Sequence, residues 1–206
     1  KVSMLGKQGG SKSTFLVNAQ GKEFILSVYT PQKVNKRATV ETQRRMQDAW
    51  REAGIPVPKQ LGDTFDIEVG PHSYLCELTE FQHGYQVKTF TELTDEETRD
   101  LAKYIAKSHK TGRDFRADTK MPHLYRATGL PCGFVHNDIH PLNVIFATDR
   151  GSVAGIIDFE LARYRPLIDE VAKTAIQFAD ITMTGKKFDV HLRPQVGEFL
   201  RAYNEE

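Results

Sequence analysis

The sequence predicts an α+β chain with two lobes: a five-stranded antiparallel sheet within residues 1–80, a polar hinge over 81–90, and a mainly helical lobe over 91–206. Two observations carry this. Short alternating apolar runs separated by glycine fill the first 80 residues around one helical stripe, and from Thr91 onward the apolar spacing turns helical except over 134–159.

The chain opens on a near-match to a known motif. Gly6-Lys7-Gln8-Gly9-Gly10-Ser11-Lys12-Ser13 almost spells the phosphate-binding loop GxxxxGK[ST], with Ser11 where that motif has glycine. In its own fold that loop opens a helix, which here would cover Ser13 to Val17. The chain instead runs through Phe15, Leu16 and Val17, then Gly21, then Phe24, Ile25, Leu26, Val28 and Tyr29, a pattern of strand, turn and strand. The expectation is a glycine-rich hairpin in which the Gly9, Gly10 and Ser11 backbone, with Lys12 and Ser13, covers phosphates.

Thr39 to Gly54 reads as a helix, since Met46, Ala49, Trp50 and Ala53 share a stripe and Gly54 supplies a stop. Glu41 on this helix is a candidate partner for a phosphate-binding cation, and equally a solvated helix charge. Ile55-Pro56-Val57-Pro58 must run extended. Phe65, Ile67 and Val69 alternate as one strand, Ser73 to Leu78 forms another, and Glu80 to Gly84 is polar and hinge-like. Thr94-Asp95-Glu96-Glu97 is a capping box opening a helix with Leu101, Tyr104, Ile105 and Ser108 on one face, ended by Gly112. Residues 113–133 read as an irregular connection bordering an acceptor pocket. A stripe from Leu167 to Ala179 forms a further helix, with Asp169 and Glu170 in its first turn as dipole-favoured charges, and Pro194 starts the last.

Phe134 to Phe159 holds the chemistry. Asp138 follows the apolar Phe134 and Val135 in a polar loop stiffened by Pro141, and Asn143 closes that loop. Val144 to Phe146 and Val153 to Ile157 read as two strands around an Asp149-Arg150-Gly151 turn, a hairpin that returns Asp158 beside Asn143. Moving a phosphoryl group to an alcohol needs an acceptor for the hydroxyl proton and hard oxygen ligands for magnesium. A base aspartate, an asparagine four intervening residues later, and an aspartate followed by phenylalanine are the parts of the kinase template. His136 is expected to brace the loop backbone rather than to react, and His140 has no assigned role.

Composition excludes other classes. Lys and Arg number 28 against 27 for Asp and Glu, which argues for neither nucleic acid nor an acidic membrane surface as partner. No apolar run reaches membrane-spanning length, and KVSMLGKQGG has no secretory core. Cys76 and Cys132 frame no disulfide scaffold, so a reducing cytoplasm is the expected compartment.

GGSKSTFLV, GIPVP, EFQHG, SHK, VHNDIHPLN and IIDFELARYRPLIDEVA together resemble the aminoglycoside phosphotransferases and the related choline and homoserine kinases, whose fold is that of protein kinases. The last two segments are the specific ones. The resemblance implies an ATP- and Mg2+-dependent kinase of a small-molecule alcohol, with Asp138 as base and Asn143 and Asp158 as metal ligands. It further implies the backbone of Leu78, Thr79, Glu80 and Phe81 as the adenine hinge, with ATP held between the lobes. Asp169 matches a family aspartate expected to be structural.

Two departures stand out. Ser27 occupies the third-strand position where most members place a phosphate-binding Lys or Arg; homoserine kinases of the family resemble it in placing a small hydroxyl residue there, and Lys12 is expected to supply the charge. Members usually continue well past a helix ending near Tyr203, and His109 to His136 is short, so missing or reduced acceptor-binding helices are expected. The rival reading is a pseudokinase serving as a nucleotide-binding or scaffolding module. The sequence leaves the acceptor and the oligomeric state open.

Overall fold

Gln20 and Gly21 both adopt positive φ, 52° and 74°, which is the geometry of a two-residue hairpin turn matched to strand twist. They join β2 (Lys12–Ala19) to β3 (Lys22–Tyr29) in the computed structural model, which describes residues 1–5, 12–30, 36–115, 129–178, 180–184, 187–191 and 194–206. β1 (Val2–Leu5), β4 (Phe65–Val69) and β5 (His72–Glu80) complete a sheet of order β1-β2-β3-β5-β4, antiparallel at every pairing. A strand therefore occupies Ser13 to Val17, where a GxxxxGK[ST] loop would require helix. That alternative is set aside. Residues 6–11, the glycine-rich segment, lie outside the described residues.

α1 (Lys36–Glu52) starts three residues before the expected Thr39 and closes through Gly54, whose φ is +75°. The chain divides into two compact units, 1–44 with 58–82 and 45–57 with 83–206. In the first, Arg37 on α1 donates to Thr64 Oγ1 at 2.9 Å and pairs with Asp66 at 2.6 Å. That pair is half exposed and adds little stability.

In the second unit, α2 (Asp95–Asp114) begins at the expected capping box: Glu97 N donates to Thr94 Oγ1 and Thr94 N to Glu97 Oε2. α3 (Leu167–Phe178) and α4 (Pro194–Glu205) follow, with three two-stranded ribbons. These are β6 (Cys132–Val135) with β9 (Arg163–Pro166), β7 (Val144–Phe146) with β8 (Val153–Ile156), and β10 (Asp180–Thr184) with β11 (Lys187–His191). The core gathers Met46, Trp50, Leu101, Ile105, Phe134 and Phe146, and Phe90 stacks between Phe178 and Phe199 at 4.8 and 5.5 Å. Of the 113–133 connection, 116–128 lie outside the described residues. The β10–β11 ribbon was not anticipated.

Gly112 does not end α2, which continues to Asp114. Its role is close approach: a Cβ there would stand 2.1 Å from the Phe134 carbonyl oxygen on β6. Alanine inside a helix ordinarily stabilises relative to glycine. Here Gly112→Ala is expected to destabilise by about 1–3 kcal/mol, measured as a lower urea midpoint with unchanged slope.

Candidate active site

The end of β6 delivers the chain to a loop whose geometry is set by backbone contacts. His136 is fully buried, and its Nε2 sits 2.9 Å from the Ile157 carbonyl oxygen. A carbonyl only accepts, so Nε2 carries the proton and Nδ1 is left without a partner among the described residues. The ring also packs on Phe159 at 4.5 Å. His136 thus ties the loop to the residue just before Asp158, the bracing role expected from its position.

Burial holds the His136 imidazole below its ordinary value of 6.5, against the opposing pull of Glu170. A histidine buried neutral takes up its proton more readily in the unfolded chain, so its contribution is complete above about 6.5 and is lost as pH falls below that value. Denaturation from pH 8 down to pH 5 should show falling stability over the lower part of the range. His136→Gln should flatten that slope.

β7 and β8 form the expected hairpin, pairing Val144 with Ile156, and Ile157 N donates to Asn143 O at 3.0 Å. Asp158 comes directly after in the left-handed region, φ 65°, ψ 67°. Aspartate tolerates this conformation better than most residues, and such strain concentrates at functional sites. The hairpin therefore sets Asn143 and Asp158 at one strand end.

The Asn143 amide nitrogen donates to Asp138 O at 2.9 Å and to Asp138 Oδ2 at 3.1 Å, closing the loop on itself. With the nitrogen so committed, the amide oxygen of Asn143 is the atom left for a cation. Ile139, between Asp138 and His140 in the chain, is buried. His140 Nδ1 accepts from Leu142 N at 3.2 Å, capping the turn Pro141–Asn143, while its Nε2 lies 3.6 Å from Asp138 Oδ2. His140 thereby acquires a role that its sequence position did not disclose.

Among the described residues, no group of three or more His, Cys, Asp or Glu is arranged to hold a metal. Asn143 and Asp158 nonetheless fit magnesium, which takes one or two protein oxygens and fills its remaining positions with phosphate and water.

Behind the loop lies a network that sequence reasoning missed. Asn137, with φ 65°, has its backbone N–H bound by Glu170 Oε1. Its amide oxygen receives Lys173 Nζ at 2.9 Å and its amide nitrogen donates to Leu161 O at 3.2 Å. Glu170, 1% exposed on α3, accepts His109 Nε2 of α2 at 2.8 Å through its other oxygen, and His109 Nδ1 meets Tyr203 OH of α4 at 2.7 Å. Next to a carboxylate, Nε2 is the donor, so Tyr203 donates to Nδ1. Burial, and then the Glu170 charge, raise the Tyr203 phenol above its ordinary value. Glu170 rather than Asp169 holds the structural acid position. The available signal was polarity on an apolar stripe: His109 lies four residues after Ile105, and Glu170 three after Leu167.

In the first unit, register decides which expected phosphate-side residues share a face. Lys12 pairs with Tyr29, Thr14 with Ser27, and Ser27 with Glu77, so all five line one side of the sheet. Ser13, paired with Val28, points to the opposite side, and Thr14 stands where Ser13 was expected. Leu16, Ile25 and Thr79 continue the Ser27 side as an apolar strip. Gly9, Gly10 and Ser11 lie outside the described residues. Of the hinge residues, Leu78 O accepts from Leu61 N and Glu80 N donates to Lys59 O, both at 2.9 Å, and Thr79 pairs with Ile25. Leu78, Thr79 and Glu80 are thus strand backbone, and Phe81 comes just past the strand.

The fold is α+β of the protein-kinase type, the class to which the small-molecule kinases among solved structures belong. The chain is similar to an amicoumacin kinase in complex with AMP-PNP, Ca2+ and Ami (TM-score 0.75, 16% identity, covering 99% of this chain and 71% of that one). A microcompartment-associated aminopropanol kinase gives a TM-score of 0.68 at 14% identity, over 98% of this chain and 74% of that one. A spectinomycin phosphotransferase in complex with ADP and spectinomycin gives 0.67 at 14% identity, over 100% and 74%. Residues 118–205 match the model of the phosphotransferase enzyme family. The resemblance to the aminoglycoside phosphotransferases and related kinases is borne out in the fold and in the family match over residues 118–205. No curated protein matches the sequence significantly. No described helix is long and apolar enough to cross a membrane.

Proposed function

We propose that the chain transfers the γ-phosphoryl group of ATP to a hydroxyl of a small molecule, in a magnesium-dependent reaction. The observation that carries this is the closed loop of Asp138 and Asn143, with Asp158 returned to the same end by the Ile157–Asn143 hydrogen bond. Asp138 Oδ1 and Oδ2 are the proton acceptor for the attacking hydroxyl. Asn143 holds that carboxylate in place through Nδ2 and, with its oxygen, joins Asp158 in holding the cation. Magnesium bound there would supply charge neutralisation of the phosphates. The rest of the rate comes from positioning, which the backbone contacts of His136 and Glu170 maintain.

On the sheet, the Ser27 face supplies Lys12 to the phosphates and the strip of Leu16 and Ile25 to the adenine, with Phe81 offering hinge backbone. Cys76 and Cys132 are both free thiols, in keeping with a cytoplasmic setting. The acceptor class is that of amino alcohols, amino acids, sugars or aminoglycosides, which the fold does not separate. A panel of such alcohols, scanned for ADP release with Mg2+ and ATP, tests the reading. Acceptor-dependent ADP release supports it, whereas ATP binding without turnover on any acceptor would favour the pseudokinase reading that Ser27 motivates.

A further inference from the structure

A strand lysine paired with a helix glutamate is the usual way a kinase holds phosphate charge. This chain has Ser27 in place of the strand lysine, yet it buries a carboxylate beside that serine. Glu77 on β5 is the cross-strand partner of Ser27 on β3 and is 8% exposed. Tyr29 OH donates to its Oε2 at 3.0 Å, while Oε1 is buried with no hydrogen-bond partner among the described residues. Two cations converge on that oxygen's side. Arg44 of α1 has Nε 3.8 Å from Glu77 Oε1 and donates through Nη2 to Gly62 O at 2.5 Å. Lys12, at the start of β2 and paired with Tyr29, faces the same side. Burial raises the Glu77 carboxyl above its ordinary value, and Tyr29, Arg44 and Lys12 pull it back toward the charged form.

A buried acid with one oxygen unmet and two cations at its edge is costly unless the cluster serves something. We infer that Glu77 positions Lys12 and Arg44 as the phosphate-binding cations, rebuilding from β2, β5 and α1 the charge pair that Ser27 leaves out of β3. The helix carries the cation and the sheet the acid, the reverse of the usual arrangement. Glu77 is a positioning residue in this scheme; Lys12 and Arg44 touch the ligand. The inference rests on the nucleotide reading above and assigns the residues that complete it.

The test is calorimetric affinity for ATP and for AMP, the second lacking the outer phosphates. Lys12→Met and Arg44→Gln should each weaken ATP about tenfold while leaving AMP within about twofold. Unchanged AMP binding shows that the variants are folded. Adding Ser27→Lys to Lys12→Met should restore ATP affinity, because the new ammonium stands opposite Glu77. The same rescue attempted with Glu77→Gln also present should fail. A wild type that binds ATP with neither cation variant weakened, or a rescue that ignores Glu77, overturns the inference and leaves the kinase reading standing. A wild type that binds no ATP overturns both.

Discussion

Asp138→Asn is expected to lower turnover about a thousandfold, the range that removing a positioned general base gives, while ATP affinity stays within about twofold. The substitution keeps the shape of the side chain, and the Asn143 contact to the Asp138 backbone carbonyl survives it. The capacity to accept the hydroxyl proton disappears. Steady-state ADP release against acceptor concentration should show the loss in kcat with KM for ATP unmoved, the signature of an interaction made only in the transition state. A variant retaining a tenth or more of the wild-type kcat would reject Asp138 as the base.

The second large effect concerns stability as well as rate. Glu170→Ala removes the acceptor of both the Asn137 backbone N–H and His109 Nε2 at a position 1% exposed. Each buried donor left unmet costs about 1–3 kcal/mol, so the variant should lose about 2–6 kcal/mol. At this chain length that corresponds to a fall in Tm of roughly 5–20 °C. Glu170→Gln should cost much less: its oxygen serves Asn137, and His109 can turn its other nitrogen into the donor toward Tyr203 OH. Differential scanning calorimetry of the two variants separates these outcomes. Equal losses in Ala and Gln would mean that the negative charge, not the hydrogen bonds, holds the loop.

The local elements were legible where one physical rule dominates. Alternation with Gln20-Gly21 at a turn sets β2 and β3, the Thr94 box sets the start of α2, and the Asp149–Gly151 turn sets the hairpin that aligns Asn143 with Asp158. Long-range packing was not legible. Gly112 looked like a stop signal because a close approach to Phe134, more than twenty residues on, leaves no trace in its neighbours. Glu170 looked like a dipole charge because its partners come from α2 and from the loop at Asn137. Ser13 and Thr14 were indistinguishable until the register with β3 chose between the two faces. Within the candidate site, motif spacing named Asp138, Asn143 and Asp158, which the loop and hairpin gather at one strand end, whereas the Glu170 network fixed by tertiary contact left no such spacing.

The measurement that bears most directly on the central claim is titration of ATP into the wild type and into Asp158→Ala, with and without Mg2+. Binding that depends on Mg2+ in the wild type, and that is weakened at least tenfold in the variant only when Mg2+ is present, is the expected result. ATP binding that is indifferent to Mg2+ and to Asp158, or absent altogether, would contradict the assignment of Asn143 and Asp158 as the metal end of a phosphotransferase site.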